Sequence, residues 1–459
     1  MTTDRNQPDQ RLFPADMQRL TITAGEYCLG RAPSVLDTFL GSCVGIALYD
    51  SASKVGGLLH VILPSGPPRK EEDNPTAYAS RGIPYLVQAL DKAGGDRRRL
   101  TATIAGGAHI RRPDGTGADL GIGLHNILAS RAGLRDLGIP IIREEVGEDF
   151  GRHLELHLAD GQVIVRSSRP FSGGLSDPKA PGTRIPPQQL TEAIDNLKSV
   201  SEVALRALEV ARDPDCNFYQ LERLILQDQV LAASILRLVN SAYYGPERRI
   251  STISKALAKL GLINFRRLVL KAVAHHLFAR KLFTYSMEEG ALFHHSLTCA
   301  RLSELLLPAA PPQERAEAYL AGLFHDLGKV VFERCAGAAF PLIVDRVLSS
   351  HEPFHLVERE ILGLDHAEAG KLLADLWGLP PIFGQAIALH HQPTSSRHWL
   401  KMVDVVHVAN ALSNMLGVGL ASDSLANGLE PEALRRLHLD EKAMEDVLAE
   451  VPRALDQYA

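Results

Sequence analysis

Two groups of side chains in this chain have the types and spacing for chemistry. The first is a cysteine and a histidine. Cys43 stands in Leu40-Gly41-Ser42-Cys43-Val44, and His60 follows in Gly56-Gly57-Leu58-Leu59-His60-Val61. A Gly-Ser step before a cysteine permits a tight turn that brings backbone N–H groups near the sulfur, where they lower a thiol pKa and hold an oxyanion. Ser42 and Cys43 form that turn. An imidazole within an apolar strand is costly unless it has a partner. A thiolate–imidazolium pair supplies one, and it is the usual engine of acyl transfer by cysteine enzymes. A structural cysteine and a satisfied core histidine account for the same spacing, so on spacing alone both readings stand.

The second group is made of histidines and one His-Asp pair. Its centre is Leu323-Phe324-His325-Asp326-Leu327-Gly328-Lys329, accompanied by His294-His295, Asp365-His366 and His390-His391. Adjacent His and Asp at a helix end can both reach one metal ion, and imidazole with carboxylate suits Zn, Mn, Fe or Ni. Each histidine alone is equally an ordinary surface residue. Four such clusters in one helical region are harder to explain that way.

These residues need elements to hold them. Val44–Tyr49 and Leu58–Leu63 are apolar, β-favouring runs bounded by Gly, Asp and Pro. Helical spacing covers 84–93, opened by Pro84 and closed by Gly94-Gly95, and 126–137. Leu154–Leu158 and Gln162–Arg166, separated by Ala-Asp-Gly, read as a hairpin. Gly106-Gly107 allows a close backbone approach to substrate or a neighbouring strand. Residues 115–123 hold four glycines out of register with a nucleotide-binding loop. The stretch 167–187 is rich in Ser, Gly and Pro and reads as a linker. Beyond it, amphipathic helices follow one another, with examples at 221–239, 253–260 and 265–278, and a charged helical tail lies past Ser422. The expected fold is two-domain: an N-terminal α/β sandwich and a C-terminal all-α domain.

Composition narrows the function classes. The chain has 459 residues, 45% hydrophobic and 22% charged, with a net charge of −5. That is the balance of a globular protein, with nothing of a global nucleic-acid binder. The apolar run 39–49 is too short to span a bilayer, so no membrane insertion is expected. The polar N-terminus has no signal-peptide core, and the scattered Cys28, Cys43, Cys216, Cys299 and Cys335 suit a reducing cytoplasm.

The run TFLGSCVGIALYD, then GGLLHVILP, AGGAHI, LGIGLHNI and GEDFGRHLELHLADGQVIV, resembles the CheD family of chemoreceptor glutamine deamidases. The resemblance implies a CheD-like sandwich and a protein-glutamine glutaminase of the EC 3.5.1.44 type, working through a Cys-His-Thr set without a cofactor. Cys43 and His60 match the family's nucleophile and base. The place that the family's spacing gives to its Thr is Asp37 here, with Thr38 beside it. A carboxylate can also orient an imidazole, and the spacing favours Asp37 over Thr38 as the third residue. The implied substrates are methyl-accepting chemotaxis receptors, with a CheC-like phosphatase as a further partner.

The helical half is similar to the HDOD family of the HD superfamily. The resemblance is carried by LRLVNSAYYG, ISTISKALAKLGL, HHSLTCA, YLAGLFHDLGKVVF, LGLDHAEAGKLL, WGLPPIFGQAIALHHQP and VVHVANAL. It implies a signalling output module. His295, His325, Asp326, His366, His390 and His391 match HD metal-site positions, which implies a divalent metal. His407, which stands where catalytic relatives carry a closing Asp, is counted among the candidate metal ligands, and Asn410 replaces a second acid. That argues against a working phosphodiesterase; Asp404 can stand in only with a shift of a helical turn. The expected organisation is a lead-in over 1–20, a CheD-like domain over 21–167, a linker over 168–187, an HDOD domain over 188–416 and a helical extension over 417–459. The leading reading is a cytoplasmic receptor deamidase with an HDOD regulatory module. The alternatives are a non-catalytic chemotaxis adaptor and a metal-dependent HD phosphohydrolase.

Overall fold

The computed structural model describes residues 19–65, 74–109, 121–167, 184–199, 210, 218–226, 232, 235–236, 239, 250, 252–285, 287, 289–350, 352–418 and 428–456. The proposed linker and the 226–239 part of the helix expected at 221–239 lie largely outside them. The chain divides into two compact units, with residues 19–108 and 121–167 in the first and those from 184 onward in the second.

The first unit holds nine strands: β1 (Arg19–Thr21), β2 (Tyr27–Arg31), β3 (Val35–Leu40), β4 (Val44–Asp50), β5 (Val55–Val61), β6 (Leu100–Gly106), β7 (Ile141–Val146), β8 (Arg152–His157) and β9 (Val163–Ser167). They form a four-stranded sheet, β1-β3-β8-β9, and a five-stranded sheet, β2-β5-β4-β6-β7. Two helices, α1 (Ala79–Lys92) and α2 (Ile122–Asp136), complete it.

Strands β4 and β5 are buried along their whole length. Near-continuous apolar runs of this kind mark strands covered on both faces. One face, with Ala47, Tyr49, Leu58 and Ala105, clusters with Leu36, Leu40, Leu154 and Leu156 of the smaller sheet. The other, with Ile46, Leu48, Leu59 and Val61, clusters with Ile83, Leu86, Leu90, Ile127 and Leu134 of the helices. Each such leucine contributes roughly 2 kcal/mol by burial. The result is three layers, sheet on sheet on helices. Residues 41–43 carry the chain from β3 in one sheet to β4 in the other.

The expected strands and hairpin are present, with β8 and β9 antiparallel. Helix α1 begins before the expected Pro84, which lies inside it. A proline there removes only the bond to the carbonyl of Ser80, an exposed residue. Gly94, at φ +93°, ends the helix, and the Gly95 N–H donates to Leu90.

The second unit is helical: α3 (Pro187–Ser199), α4 (Phe218–Ile225), α5 (Ile253–Phe278), α6 (Ala291–Leu305), α7 (Pro312–Phe324), α8 (Leu327–Cys335), α9 (Phe340–Ser350), α10 (Phe354–Leu362), α11 (His366–Leu376), α12 (Pro381–Leu389), α13 (Leu400–Met415), α14 (Pro431–Arg436) and α15 (Glu441–Asp456). The segments expected at 253–260 and 265–278 are one helix, α5, which runs on through Gly261. Thr252 caps its start, its side chain accepting from the Lys255 N–H. Asp365 and Glu368 form a capping box that starts α11 at His366.

Candidate functional sites

In the first unit, period-two alternation along β3 points Leu36, Thr38 and Leu40 inward and Asp37 and Phe39 away. Thr38 is fully buried, and its Oγ1 lies 2.8 Å from His60 Nδ1. The same hydroxyl donates to the Ile22 carbonyl at 2.8 Å. With its proton committed there, Thr38 can only accept from His60, so Nδ1 carries the hydrogen and Nε2 is bare. This bond joins the two sheets, since Thr38 is on β3 and His60 on β5.

Asp37, the residue favoured by family spacing, is placed elsewhere. Its carboxylate accepts from Thr21 Oγ1 at 2.8 Å and lies 2.7 Å from His153 Nε2, with Arg19 at 3.7 Å. The reason is parity, because adjacent residues of a strand face opposite sides and the inward side belongs to Thr38. Leu36 and Leu40, apolar on the same parity as Thr38, were the available signal.

Cys43 closes the turn from β3 and is 1% exposed. It lies two residues before Gly45, the register partner of His60. The turn's carbonyls are all engaged: Gly41 accepts from Ala108 N, Ser42 from Asn126 Nδ2 and Cys43 from Gly107 N. Gly106-Gly107 thus approaches the neighbouring strand connection; a Cβ on Gly106 would meet the Cys43 carbonyl at 2.2 Å. Burial pushes the Cys43 thiol up, and it pushes His60 down to about 3. Burial thus favours the neutral form of both groups, and His60 Nε2 has no hydrogen-bond partner.

In the second unit, five histidines gather round one carboxylate. Asp326 Oδ2 lies 3.5 Å from His295 Nε2 and 3.3 Å from His325 Nε2. Oδ1 lies 3.5 Å from His366 Nε2 and 3.7 Å from His390 Nε2. His391 Nε2 is 2.9 Å from His366 Nε2. Glycines allow the helices to approach. A Cβ on Gly328 would stand 1.7 Å from the His366 carbonyl, and one on Gly322 would stand 2.5 Å from Ser303 Oγ. Close crossing of α8 with α11, and of α7 with α6, follows from these two positions.

Four rings are held by the far nitrogen. Nδ1 of His325 lies 2.8 Å from the Gly322 carbonyl and that of His390 2.7 Å from the Ile387 carbonyl. His295 Nδ1 meets the Val418 carbonyl at 3.2 Å, and His366 Nδ1 meets Glu358 Oε2 at 2.6 Å. Each acceptor takes the Nδ1 hydrogen and leaves Nε2 to face the centre, the orientation of metal-ligating imidazoles. Glu358 also accepts from Tyr285 Oη at 2.6 Å. It was not singled out in the sequence, although its place four residues after Phe354, on the buried face of α10, was a signal.

Asp326 Oδ1 and His390 Nε2 are buried without hydrogen-bond partners, whereas Asp326 Oδ2 is ion-paired. Burial opposes ionisation of Asp326, but the charges of His325 and Lys329, whose Nζ is 2.8 Å away, hold its carboxyl well below the usual range. Burial, then neighbouring imidazoles, keeps His390 and His391 well below theirs. Two donor groups result, His295/His325/Asp326 and His366/His390/His391, each with its ligand atoms within 4.8 Å of one another. Against the effect of burial, Asp326 raises the pKa of His325 and Glu358 that of His366, so a divalent cation held by these Nε2 atoms and the buried carboxylate would displace their protons.

His407, expected among the ligands, does not join them. Its Nδ1 lies 2.7 Å from the His390 carbonyl and its Nε2 accepts from Glu430 N at 2.9 Å, so both ring nitrogens are occupied in pinning α13. Asp404 is bound by Arg436 at 2.5 and 2.7 Å and supplies no replacement acid.

Comparison with known proteins agrees with this division. The family described as CheD chemotactic sensory transduction matches residues 62–167, and the HDOD domain matches 197–393. A protein of Methanococcus maripaludis described as a probable chemoreceptor glutamine deamidase CheD is 40% identical over 147 residues, 32% of this chain and 94% of that protein. A similarly described CheD 2 of Geobacter metallireducens is 38% identical over 151 residues, 32% of this chain and 93% of its own length. A crystal structure of an HDOD domain protein from Geobacter sulfurreducens has 24% identity and a TM-score of 0.44, covering 58% of this chain and 98% of that one. Among the described residues no helix is long and apolar enough to cross a membrane. Through its N-terminal unit the chain belongs to the CheD family, and it carries an HDOD domain after it.

Proposed function

We propose that the chain is a chemoreceptor glutamine deamidase of the EC 3.5.1.44 type, with Cys43 as nucleophile, His60 as base and Thr38 as the residue that orients the base. The supporting observation is the Thr38–His60 bond, which fixes the hydrogen on Nδ1 and leaves His60 Nε2 bare. In this reading Nε2 takes the Cys43 proton as the sulfur attacks the carboxamide carbon of a glutamine side chain. The amides of the Ser42–Cys43 turn stabilise the oxyanion. His60 then passes the proton to the nitrogen, and ammonia leaves a thioester. Water, deprotonated by His60, attacks that thioester, and glutamate and free Cys43 result. Burial of both groups favours their neutral forms at rest, so the ion pair forms only as substrate binds.

The reading makes the cytoplasmic regions of methyl-accepting receptors the substrate, with a CheC-like phosphatase as a further partner. No cofactor takes part in the deamidation. Ammonia release from purified receptor cytoplasmic fragments tests it. The wild type should release ammonia, and Cys43→Ala should lower the rate by about 10⁴-fold or more. Equal rates in the two would overturn the reading.

For the helical half, the proposal is a regulatory module that holds a divalent metal ion through His295, His325 and Asp326, with His366, His390 and His391 as a second donor group. Bound there, a metal would supply Lewis acidity and tie four helices together. The buried, unpartnered Asp326 Oδ1 and His390 Nε2 support this reading.

A further inference from the structure

Resting on the deamidase reading, we propose that Asn126 is a positioning residue for the Cys43–His60 pair. Asn126 lies in the second turn of α2 and is fully buried. Its Nδ2 donates to the Ile62 carbonyl at 2.8 Å and to the Ser42 carbonyl at 3.3 Å. These belong to the second residue after the base and to the residue before the nucleophile. One amide nitrogen therefore ties the turn that carries the thiol to the segment that follows the imidazole.

The orientation of this amide is not arbitrary. Only its NH2 end can face two carbonyls. Oδ1 is left buried with no partner among the described residues, a cost that an apolar side chain would avoid. The chain keeps this cost where the donor end spans the two catalytic segments. The backbone is shaped for the approach. A Cβ on Gly123 would stand 2.6 Å from the Gly107 carbonyl and 2.7 Å from that of Ala108. Those two residues donate in turn to Cys43 and Gly41.

The consequence is a fixed peptide plane. The Ser42 carbonyl and the Cys43 N–H belong to one peptide unit, so holding the oxygen on Asn126 also sets where the N–H points. A flip of that unit would turn a carbonyl toward the sulfur and remove a donor from the place where the oxyanion forms. The flanking carbonyls are held by backbone. The middle one, which governs the nucleophile's own amide, is held by Asn126.

The test uses the full chain with receptor cytoplasmic fragments, comparing wild type, Asn126→Ala and Asn126→Asp. Asn126→Ala should lower kcat by roughly 10²-fold, as loss of one oxyanion donor does, with KM within about twofold. The carboxylate of Asn126→Asp cannot donate near neutral pH, whereas its protonated form can donate one hydrogen. Its activity relative to wild type should therefore climb as pH falls, while the Asn126→Ala ratio stays flat. A merely structural role would lower the folded fraction and leave both ratios flat. A kcat per folded molecule equal to wild type, or flat ratios for both variants, overturns the inference. A second arm needs no turnover: iodoacetamide should label Cys43 about tenfold faster in Asn126→Ala, where the turn has lost its ties. An unchanged labelling rate overturns the inference, whereas a wild type without ammonia release sinks the deamidase reading alone.

Discussion

The two sites use the same device to opposite ends. In the sandwich, Thr38 holds one nitrogen of one imidazole and leaves the other bare. In the helical unit, backbone carbonyls and Glu358 hold one nitrogen of each of four imidazoles, whose other nitrogens converge on one carboxylate. In the proposed reading the single lone pair is a base, and several imidazoles around a buried acid form a chelate. The difference lies in the number of rings and in what faces them, since burial acts on all of them by penalising charge. That penalty is met by neutrality at Cys43 and His60 and by countercharge at Asp326, through Lys329 and His325.

This contrast can be broken in four places. The largest effect should come from Asp326→Asn, which removes the charge shared by both donor groups. Calorimetric titration with Zn²⁺ or Mn²⁺ should show affinity down by more than about 10²-fold, beyond the loss typical of a supporting residue, with ammonia release unchanged. Metal binding equal to wild type would remove the chelate from the comparison.

Next comes the choice between neighbours on β3. Thr38→Ala should lower deamidation by roughly 10²-fold, and Asp37→Ala should stay within about twofold. The reverse order would return the orienting role to the position favoured by family spacing. Glu358→Gln keeps the shape and removes the carboxylate behind His366. It should weaken metal binding by about tenfold and leave the fold intact by circular dichroism.

The last break concerns pH and stability rather than turnover or metal binding. His60 is neutral in the folded chain down to about 3. The unfolded imidazole, near 6.5, takes up a proton that the folded one refuses, so stability is full above about 6.5 and falls on acidification toward 3. The slope from this one group is about 1.4 kcal/mol per pH unit. The difference in unfolding free energy between wild type and His60→Gln, followed across that window, should show it, and a pH-independent difference would place His60 in contact with water.

The amino-acid sequence by itself determined the local pieces. Near-continuous apolar runs bounded by Gly, Asp and Pro specify strands such as β4 and β5, because burial on both faces leaves no polar parity. The Ala-Asp-Gly step specifies the β8–β9 hairpin. The His325-Asp326 pair and the Gly41-Ser42-Cys43 turn were legible as chemistry for the same reason, since their geometry is set by neighbours in the chain. What lies across sheets or helices was decided by tertiary structure. Asp37 and Thr38 are both able to orient an imidazole, and only the packing of Leu36 and Leu40 against the five-stranded sheet turns Thr38 toward His60. His407 has the right ring for a ligand, but the His390 carbonyl and the Glu430 amide take its two nitrogens. Asn126 acts on residues far away in sequence, and Glu358 reaches His366 on the next helix. No local pattern encodes such a partner, because its identity depends on which helix face the folded chain brings within hydrogen-bond distance.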